Sequence, residues 1–369
     1  MKLSVDKHQF LTGLQLAQAV ADRKGTLPMT ANIRLDATDD QLVCSATNYV
    51  VAVKTTIPAE CSENGSICLS AKTLFDVVKS LPEVDSAVLV STNEAHHAVI
   101  EAERARFQIM GLPADDFPNL PETQKDDFSE VHPDALLSLV RKVFFSILTE
   151  ETRPHLNSAL WESHDDILRM VSTDGHRLSR ADAHLEDSVD LFSEGILVPR
   201  RGLTEIRRLL EGTSGTVKVA VEKPYLFLKT ESVLMAVRLI DEKFPPYEDV
   251  IPSDLVRRVV AERGALLDAI RRVSLLSAGA THGIRFRLTK GLMEVLSRNP
   301  DLGEAHEELE VDYDGDEFMA AFNAQYFQDF LPEIDSEELV LEFGEELDPC
   351  LIRPVDSDDY VGVIMPLRF

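Results

Sequence analysis

Apolar residues recur with a helical period at three places, each near the start of one third of the chain. The runs cover residues 10–17, 136–143 and 266–276. Apolar residues spaced three and four positions apart lie on one face of an α-helix. We therefore predict an amphipathic helix near the start of each third.

Short apolar or alternating segments follow each of these helices. Turn residues separate them, namely Asp39-Asp40, His164-Asp165-Asp166 and Lys290-Gly291. Such segments, bounded by turn residues, are typical of β-hairpins. The predicted strands are 33–35, 41–46 and 50–57 in the first third, 159–162 and 168–172 in the second, and 284–288 and 292–297 in the third.

A second helix and a further hairpin complete each third. The helices begin after Ser70, Pro199 and Asn323, and the last of them is predicted to end at Pro332. The hairpins pair 87–91 with 98–102, 217–221 with 225–230, and 339–343 with 350–354. Two helices and about eight strands per third predict an α+β fold, in which a helix pair packs on one side of an antiparallel sheet.

The same order of signals therefore appears three times along the sequence. Phe244-Pro245 follows Phe117-Pro118 by 127 positions, and a third closing segment covers 364–369. The starts of the second helices are 129 and 124 positions apart. A recurrence of this length predicts three similar domains, at 1–124, 125–251 and 252–369.

The composition is that of an ordinary globular protein. The 369 residues are 44% hydrophobic and 27% charged, which allows two or three domains with proper cores. The four cysteines include no C-x-x-C pair, so we expect neither a disulfide framework nor a zinc site. We expect the protein to occupy a reducing compartment. The start lacks the apolar core of a signal peptide, and no stretch approaches the ~20 apolar residues of a membrane span. We expect a cytoplasmic protein that binds no membrane and needs no cofactor.

The net charge of −27 argues against nucleic acid unless the charges are sorted by position, because lysine and arginine dominate binding to phosphates. Acids crowd 304–310 and 356–359, whereas basic residues recur on several predicted helices, some of them seven positions apart on one face. If these helices faced one surface, it would hold duplex DNA through phosphates without reading bases. Solvated faces of amphipathic helices are the alternative. The residues are Lys72, Lys79, Arg141, Lys142, Arg200, Arg201, Arg207, Arg271 and Arg272.

Two clusters could indicate a metal-dependent nuclease or phosphatase, since carboxylates and imidazoles ligate metals. They are His164-Asp165-Asp166 and Asp174-Gly175-His176. Paired aspartates between strands are equally typical of turns. The segment 312–317 imitates a calcium loop but has Glu317 where glycine is required, and 212–215 lacks the lysine of a phosphate loop. We therefore predict no catalytic residue and no metal site, and keep the hydrolase as an alternative.

Five stretches, in order and spacing, resemble the bacterial DNA polymerase III β sliding clamp family from end to end. They are 26–28 (TLP), 168–178 (LRMVSTDGHRL), 197–202 (LVPRRG), 244–247 (FPPY) and 363–369 (VIMPLRF). The T-D-G-H-R-L run and the M-P-L-R ending are specific, whereas F-P-x-Y alone would be weak.

The resemblance implies a head-to-tail homodimer of three-domain chains. The closed ring, with helices inside and sheets outside, would encircle duplex DNA. The resemblance also implies DNA contacts at Arg23 and Lys24, and apolar contacts between protomers at Phe107, Leu275 and Leu276. Glu150 stands where the resemblance implies a neutral amide, so we expect that DNA contact to be lost.

The resemblance further implies a hydrophobic pocket for short peptides that contain glutamine and leucine or phenylalanine. Such peptides belong to the DNA polymerase III catalytic subunit, the clamp loader, other polymerases and repair proteins. Apolar walls that include a methionine adapt to varied partners. At the rim, Glu248-Asp249 replaces a basic residue of the family. The lining would be Leu156, Thr173, Gly175, His176, Arg177, Leu178, Pro245, Val250, Leu347, Val363, Met365, Pro366, Leu367 and Arg368.

The predicted function is that of a processivity factor, a non-catalytic subunit that tethers a polymerase to its template. Tethering raises the local concentration of the polymerase, so that each detachment is followed by rebinding. Besides the hydrolase, a peptide-binding scaffold that does not bind DNA is the remaining alternative. Retention on circular duplex that is lost when the circle is cut would contradict the scaffold.

Overall fold

The structure is a computed structural model that describes residues 1–22, 28–82, 88–93, 95–124, 128–185, 192, 194–277 and 282–368. Its contacts group the chain into two compact units. Unit 1 comprises Met1–Leu137 with Arg201–Leu239, and unit 2 comprises Ser138–Arg200 with Ile240–Phe369. We call residues 1–124, 125–251 and 252–369 the first, second and third repeat.

The first repeat contains two helices and nine strands in its described part. Asp6 begins the first helix, because its Oδ1 accepts a hydrogen bond from the Gln9 amide at 2.9 Å. The elements are β1 (Lys2–Val5), α1 (Lys7–Val20), β2 (Asn32–Thr38), β3 (Gln41–Thr47), β4 (Val51–Pro58), β5 (Glu60–Glu63), β6 (Gly65–Ser70), α2 (Ala71–Ser80), β7 (Val88–Thr92), β8 (His97–Ala102) and β9 (Ala105–Leu112).

The second repeat follows the same order. Its elements are β10 (Ser129–Val131), α3 (Pro133–Phe144), β11 (Ser158–His164), β12 (Ile167–Thr173), β13 (Arg177–His184), β14 (Ile196–Pro199), α4 (Arg200–Glu211), β15 (Val217–Glu222), β16 (Tyr225–Lys229) and β17 (Val233–Arg238). The predicted hairpins at 159–172 and 217–230 are therefore confirmed within one or two residues.

The third repeat again has two helices and eight strands in the part that the structure describes. Its elements are β18 (Arg257–Glu262), α5 (Arg263–Ser274), β19 (Gly283–Thr289), β20 (Leu292–Asn299), β21 (Gly303–Glu310), β22 (Phe318–Asn323), α6 (Ala324–Phe330), β23 (Glu338–Phe343), β24 (Cys350–Pro354) and β25 (Tyr360–Ile364). The predicted end of α6 at Pro332 is wrong. The helix ends at Phe330 and continues as one 3-10 turn, Leu331–Glu333, because proline has no N–H for the α-helical ladder.

Each repeat builds two quartets of antiparallel strands. The first quartets have the orders β4-β3-β2-β6, β13-β12-β11-β14 and β21-β20-β19-β22. The second quartets have the orders β9-β8-β7-β1, β17-β16-β15-β10 and β25-β24-β23-β18. The identical order confirms that the recurrence in the sequence is a structural repeat.

Strand pairs join neighbouring repeats, which the sequence did not predict. The last strand of the second repeat, β17, pairs with β4, from Val233 opposite Thr55 to Val237 opposite Val51. In the same way β25 pairs with β13, from Tyr360 opposite Ala181 to Ile364 opposite Arg177. These ladders explain why each compact unit contains one whole repeat and one quartet of the second repeat.

Candidate functional site

The helices carry a charge opposite to that of the chain as a whole. Helices α1–α6 contain 12 lysines and arginines against 6 aspartates and glutamates, a net charge of +6, whereas the chain has 37 against 64. Most of the helical cations lie at exposed positions while the apolar residues of the same helices are buried. The charge is therefore sorted by element, as the sequence predicted.

Helices α2 and α4 carry the exposed helical cations of unit 1. Lys72 pairs with Asp76 at 2.6 Å, Lys79 Nζ lies 6.0 Å from the centre of the Phe75 ring, and Arg207 pairs with Glu211 at 3.2 Å. Exposed pairs of this kind contribute little stability and are screened by salt. The cations therefore stay available to an incoming phosphate at small cost.

A cavity of about 1180 Å³ in unit 1 is lined by residues of α1, α4 and the turn at 230–233. Glu205 lines it, with a side chain only 9% exposed, and pairs with Arg208 at 2.6 Å. Burial raises the pKa of Glu205. Arg201, which is exposed, lies on the same wall.

Two of the predicted DNA contacts in unit 2 are held by neighbouring residues. Arg200 Nη1 donates to the carbonyl oxygens of Phe144 and Ile147, both at 3.0 Å, and burial lowers the pKa of its guanidinium. Lys142 pairs with Asp335 at 3.1 Å and lies 5.3 Å from the Tyr360 ring centre. Arg200 therefore stabilises the local fold, because its guanidinium is half-buried and donates hydrogen bonds to the backbone.

The remaining predicted DNA contacts on the helices of unit 2 are exposed. Arg141 lies on α3, and Arg271 pairs with Asp268 at 3.7 Å on α5. Arg272 forms a bidentate pair with Glu307 of β21, with Nη2 2.5 Å from Oε1. The bond to Glu307 raises the pKa of Arg272. The predicted contacts Arg23 and Lys24 lie outside the described residues.

Strand register in unit 2 brings distant pocket residues together. Leu178 lies opposite Thr173 on β12 and opposite Val363 on β25. The Met365 amide donates to the His176 carbonyl oxygen at 2.9 Å. Cys350 pairs with Ile364, so the loop that carries Leu347 lies at the same end of the sheet. The sequence stretches 173–178 and 363–368 are therefore neighbours in space.

The turn at 173–178 is closed by its own polar side chains. Asp174 Oδ1 accepts from the amides of His176 and Arg177 at 2.9 and 3.1 Å, and Thr173 Oγ1 donates to the Arg177 carbonyl oxygen at 2.7 Å. Gly175 has φ +89°, a conformation that favours glycine. The T-D-G-H-R-L motif therefore specifies a tight turn, which explains its Asp and Gly without a metal.

Arg177 is the anchor of this turn. Its guanidinium donates to Asp174 at 3.0 Å, to Asp329 at 2.6 Å and to the Phe145 carbonyl oxygen at 2.6 Å. The guanidinium carbon also lies 4.6 Å from the Tyr326 ring centre. The side chain is 12% exposed. Arg177 is therefore engaged with the protein itself, rather than presented as a free cation to a peptide.

A buried apolar cluster forms the base of the candidate pocket. It consists of Leu160, Val171, Leu178, Leu197, Tyr247 and Val363, with Ile240, Phe244 and Ile251 packed against it. The Tyr247 hydroxyl donates to Glu162 Oε2 at 2.9 Å, and burial raises its pKa. The sequence nominated Leu178 and Val363 but missed Tyr247, although the F-P-x-Y motif contains it.

The other predicted pocket residues differ in exposure. Val250, Leu347 and Met365 are exposed by 40%, 57% and 37%. Gly175, His176 and Arg368 are also exposed, Leu156 is buried, and Thr173, Pro245, Pro366 and Leu367 are partly buried. Exposed apolar residues above a buried apolar base form a surface suited to a partner.

The predicted contacts between protomers lie near two strand edges. Phe107 is half-buried on β9, and Leu275, just after α5, is 78% exposed beside the half-buried Leu276. Strand β9 pairs with β6 only at Gly111 and Leu112, and β21 is the last strand of its sheet. In the described residues, both strands therefore offer an edge without a ladder partner.

The structure does not assemble the clusters that the hydrolase alternative required. Asp165 lies at φ +53° in a turn, and Asp174 is engaged by the amides of its own turn. Among the described residues, one group brings three possible metal ligands together, Glu294, His306 and Glu308, with ligand atoms within 4.8 Å of one another. Glu294 also pairs with Arg287 at 3.1 Å.

Three departures from the resemblance lie on the surface. Glu150 is exposed after α3, and Glu248 and Asp249 are exposed on the 3-10 turn Tyr247–Val250. In the described parts, no helix is both long and apolar enough to span a membrane.

The whole chain matches one family in three consecutive parts. Family models of the DNA polymerase III beta subunit match this chain in order: the N-terminal domain matches residues 1–121, the central domain 130–246 and the C-terminal domain 248–368. The beta sliding clamps of Pseudomonas putida and Caulobacter vibrioides are 32% and 33% identical, and the match covers 100% of each chain.

Solved structures give the same result. The DNA polymerase III subunit beta of Pseudomonas aeruginosa has a TM-score of 0.93 at 31% identity, over 100% of both chains. A second structure of that sliding clamp, bound to griselimycin, has a TM-score of 0.92 at 31% identity and the same coverage. Neither the metal-dependent hydrolase nor the scaffold without DNA is supported by these relatives. The chain belongs to the DNA polymerase III β subunit family, and it is a non-catalytic sliding clamp that serves DNA replication.

Proposed function

We propose that two copies of this chain join head to tail in a closed ring that encircles duplex DNA. The observation that carries the proposal is a rule in the strand pairing. The third strand of a first quartet, β4 or β13, pairs with the last strand of the following repeat, β17 or β25. By this rule β21, the third strand of the first quartet in the third repeat, should pair with the last strand of a following repeat. Strand β9 is the last strand of the first repeat, and it has no third strand of a preceding repeat to pair with.

A second copy supplies what each edge lacks. Because β9 belongs to the first repeat and β21 to the third, their pairing is heterologous, and two copies close it by rotation. Charge supports the same pairing, since Arg104 precedes β9 and Arg106 lies on it, while β21 contains Glu304, Glu307, Glu308 and Glu310. Phe107 would lie at this joint, together with Leu275 and Leu276 of the partner subunit.

The ring holds DNA by topology and by its helices. Cations on α2, α3, α4 and α5, most of them exposed, contact phosphates, which carry no sequence information, so the ring slides. The contacts proposed are those predicted from the sequence, namely Arg23, Lys24, Lys72, Lys79, Arg141, Lys142, Arg201, Arg207, Arg271 and Arg272, with Arg200 supporting them from within the fold.

The pocket in unit 2 binds the short peptides of polymerase, clamp loader and repair proteins. Its exposed Val250, Leu347 and Met365 accept apolar side chains, and the buried cluster around Tyr247 supports them. The griselimycin-bound relative supports a ligand site on clamps of this family. We place the domain boundaries at 124/125 and 251/252, and the protein in the cytoplasm.

Retention on DNA of different topology tests the ring. The clamp is loaded on nicked circular duplex by its clamp loader, and the DNA is then linearised. We expect the protein to stay on the circle through gel filtration and to be lost from the linear form, because open ends release a ring. Equal retention on both forms, or a monomeric mass at micromolar concentration, would contradict the proposal.

A further inference from the structure

The segments that carry the exposed apolar residues of the pocket are acidic. Val250 ends the 3-10 turn Tyr247–Val250, which also carries the exposed Glu248 and Asp249. Leu347 lies in the loop 344–349, between the exposed Glu346 and Asp348. Neither segment contains a lysine or arginine. An apolar partner that reaches these residues must therefore approach several carboxylates.

The backbone segments that carry these acids are anchored by the fold. Tyr247 is 6% exposed and its hydroxyl is bonded to Glu162, so the turn that carries Glu248 and Asp249 is anchored at its base. In the loop 344–349, the Glu345 amide donates to Asp348 Oδ2 at 2.7 Å, and the Asp348 amide donates to the Glu345 carbonyl oxygen at 3.0 Å. A partner therefore meets these acids on anchored segments of backbone.

Nearby cations compensate this charge only in part. Arg177 in the pocket wall is occupied by Asp174 and Asp329. Arg257 Nη1 lies 3.8 Å from Glu345 Oε1, too far for a strong pair. Lys243 and Arg368 are exposed at the ends of neighbouring segments. The acids of the two segments outnumber these cations, and the rim is negative.

We propose that this rim selects clamp-binding peptides with lysine or arginine beside their apolar anchor residues, and rejects peptides with acidic flanks. The proposal rests on the proposed peptide-binding function and names the chemistry of the partner. Complementary charge at a rim favours encounter and suppresses wrong partners, whereas the apolar anchors supply most of the affinity.

The test uses the full-length protein and three synthetic peptides with one core of glutamine, leucine and phenylalanine. The core is flanked by two lysines, two serines or two glutamates, and Kd is measured by fluorescence anisotropy. At 50 mM salt we expect the lysine peptide to bind about tenfold more tightly than the glutamate peptide, or about 1.4 kcal/mol. At 500 mM salt the ratio should fall to about twofold, because exposed charges are screened.

Charge reversal identifies the acids responsible. The double variant Glu248→Lys with Asp249→Lys should reduce or invert the preference for lysine flanks. The matched control is the double variant Glu337→Lys with Glu338→Lys, which changes the net charge by the same amount. These residues lie where β23 begins, at the opposite end of the strand from the loop 344–349, so the ratio of the Kd values for the lysine and glutamate peptides should not change.

The outcomes separate the two proposals. Equal affinity for the three peptides, or a preference that survives Glu248→Lys with Asp249→Lys, would overturn the charge selection and leave the peptide site standing. No binding of any peptide would overturn both.

Discussion

Replacing Arg177 by alanine should destabilise unit 2, because this cation is largely buried among its partners. The side chain is 12% exposed and donates to two carboxylates and one carbonyl oxygen. Its removal leaves Asp329 and the Phe145 carbonyl without this donor. Asp329 keeps a bond from Gln325 at 2.7 Å, which limits the loss.

The expected cost follows from these contacts. Hydrogen bonds to charged groups contribute about 1.5–3 kcal/mol each, and breaking a buried ion pair costs about 3–5 kcal/mol. The pair partners are 16% and 25% exposed, so solvent screening reduces these values. We expect Arg177→Ala to lower the free energy of unfolding by about 3 kcal/mol, and Arg177→Lys by about half of that, since lysine keeps the charge but not the fork.

Urea unfolding followed by tryptophan fluorescence measures the effect. Trp161 is the single tryptophan, and it is fully buried on β11 of unit 2, so its signal reports on the unit that contains Arg177. With an m-value of about 2 kcal/mol/M, the midpoint should fall by about 1.5 M.

The matched control is Arg180→Ala on the same strand. Arg180 has a side chain 18% exposed, but it donates to one carbonyl oxygen, at 2.7 Å, and its Nε lies 3.9 Å from Asp182. We expect a loss of about 1 kcal/mol. If Arg177→Ala and Arg180→Ala shifted the midpoint equally, the view of Arg177 as anchor of the turn would be refuted.

Three further predictions concern the joint, the helical cations and a buried acid. Phe107→Asp should convert the dimer to a monomer in analytical ultracentrifugation, while Val256→Asp, on another exposed apolar residue, should not; a dimeric Phe107→Asp protein would refute the joint. Arg201→Glu should weaken DNA binding and reduce the slope of log K against log salt by about one, and an unchanged slope would exclude a phosphate contact. Burial raises the pKa of Glu205, so the folded protein binds the carboxyl proton more tightly than the unfolded chain does. The stability that this proton contributes is lost as the pH rises above 4.5 and through the pKa of the folded state. Glu205→Gln should therefore gain stability relative to the parent between pH 4 and pH 7, read as urea midpoints by circular dichroism, and a constant difference would contradict the shift.

The sequence by itself determined the local elements and their repetition. The period of apolar residues and the turn residues between strands identified the six helices, and the strands that were given bounds lie within about three positions of the observed ones, because these signals depend only on neighbouring residues. Capping side chains such as Asp6, Ser70 and Asn323 mark the helix starts for the same reason. The concentration of cations on the helices could also be predicted from the sequence, since it requires only that the helices be identified and not that they be placed in the fold.

The tertiary structure alone decided which strands of different repeats pair and what each polar residue does. The ladders β17–β4 and β25–β13 connect residues separated by about half the chain, and no local signal encodes such a pairing. The sequence placed Arg177 in a pocket and Arg200 on DNA, whereas their hydrogen bonds hold the turn at 173–178 and the end of α3. From the sequence, a cation on the polar face of a helix is predicted to face solvent. Whether its charge is available to a ligand depends on the neighbours that tertiary packing places beside it.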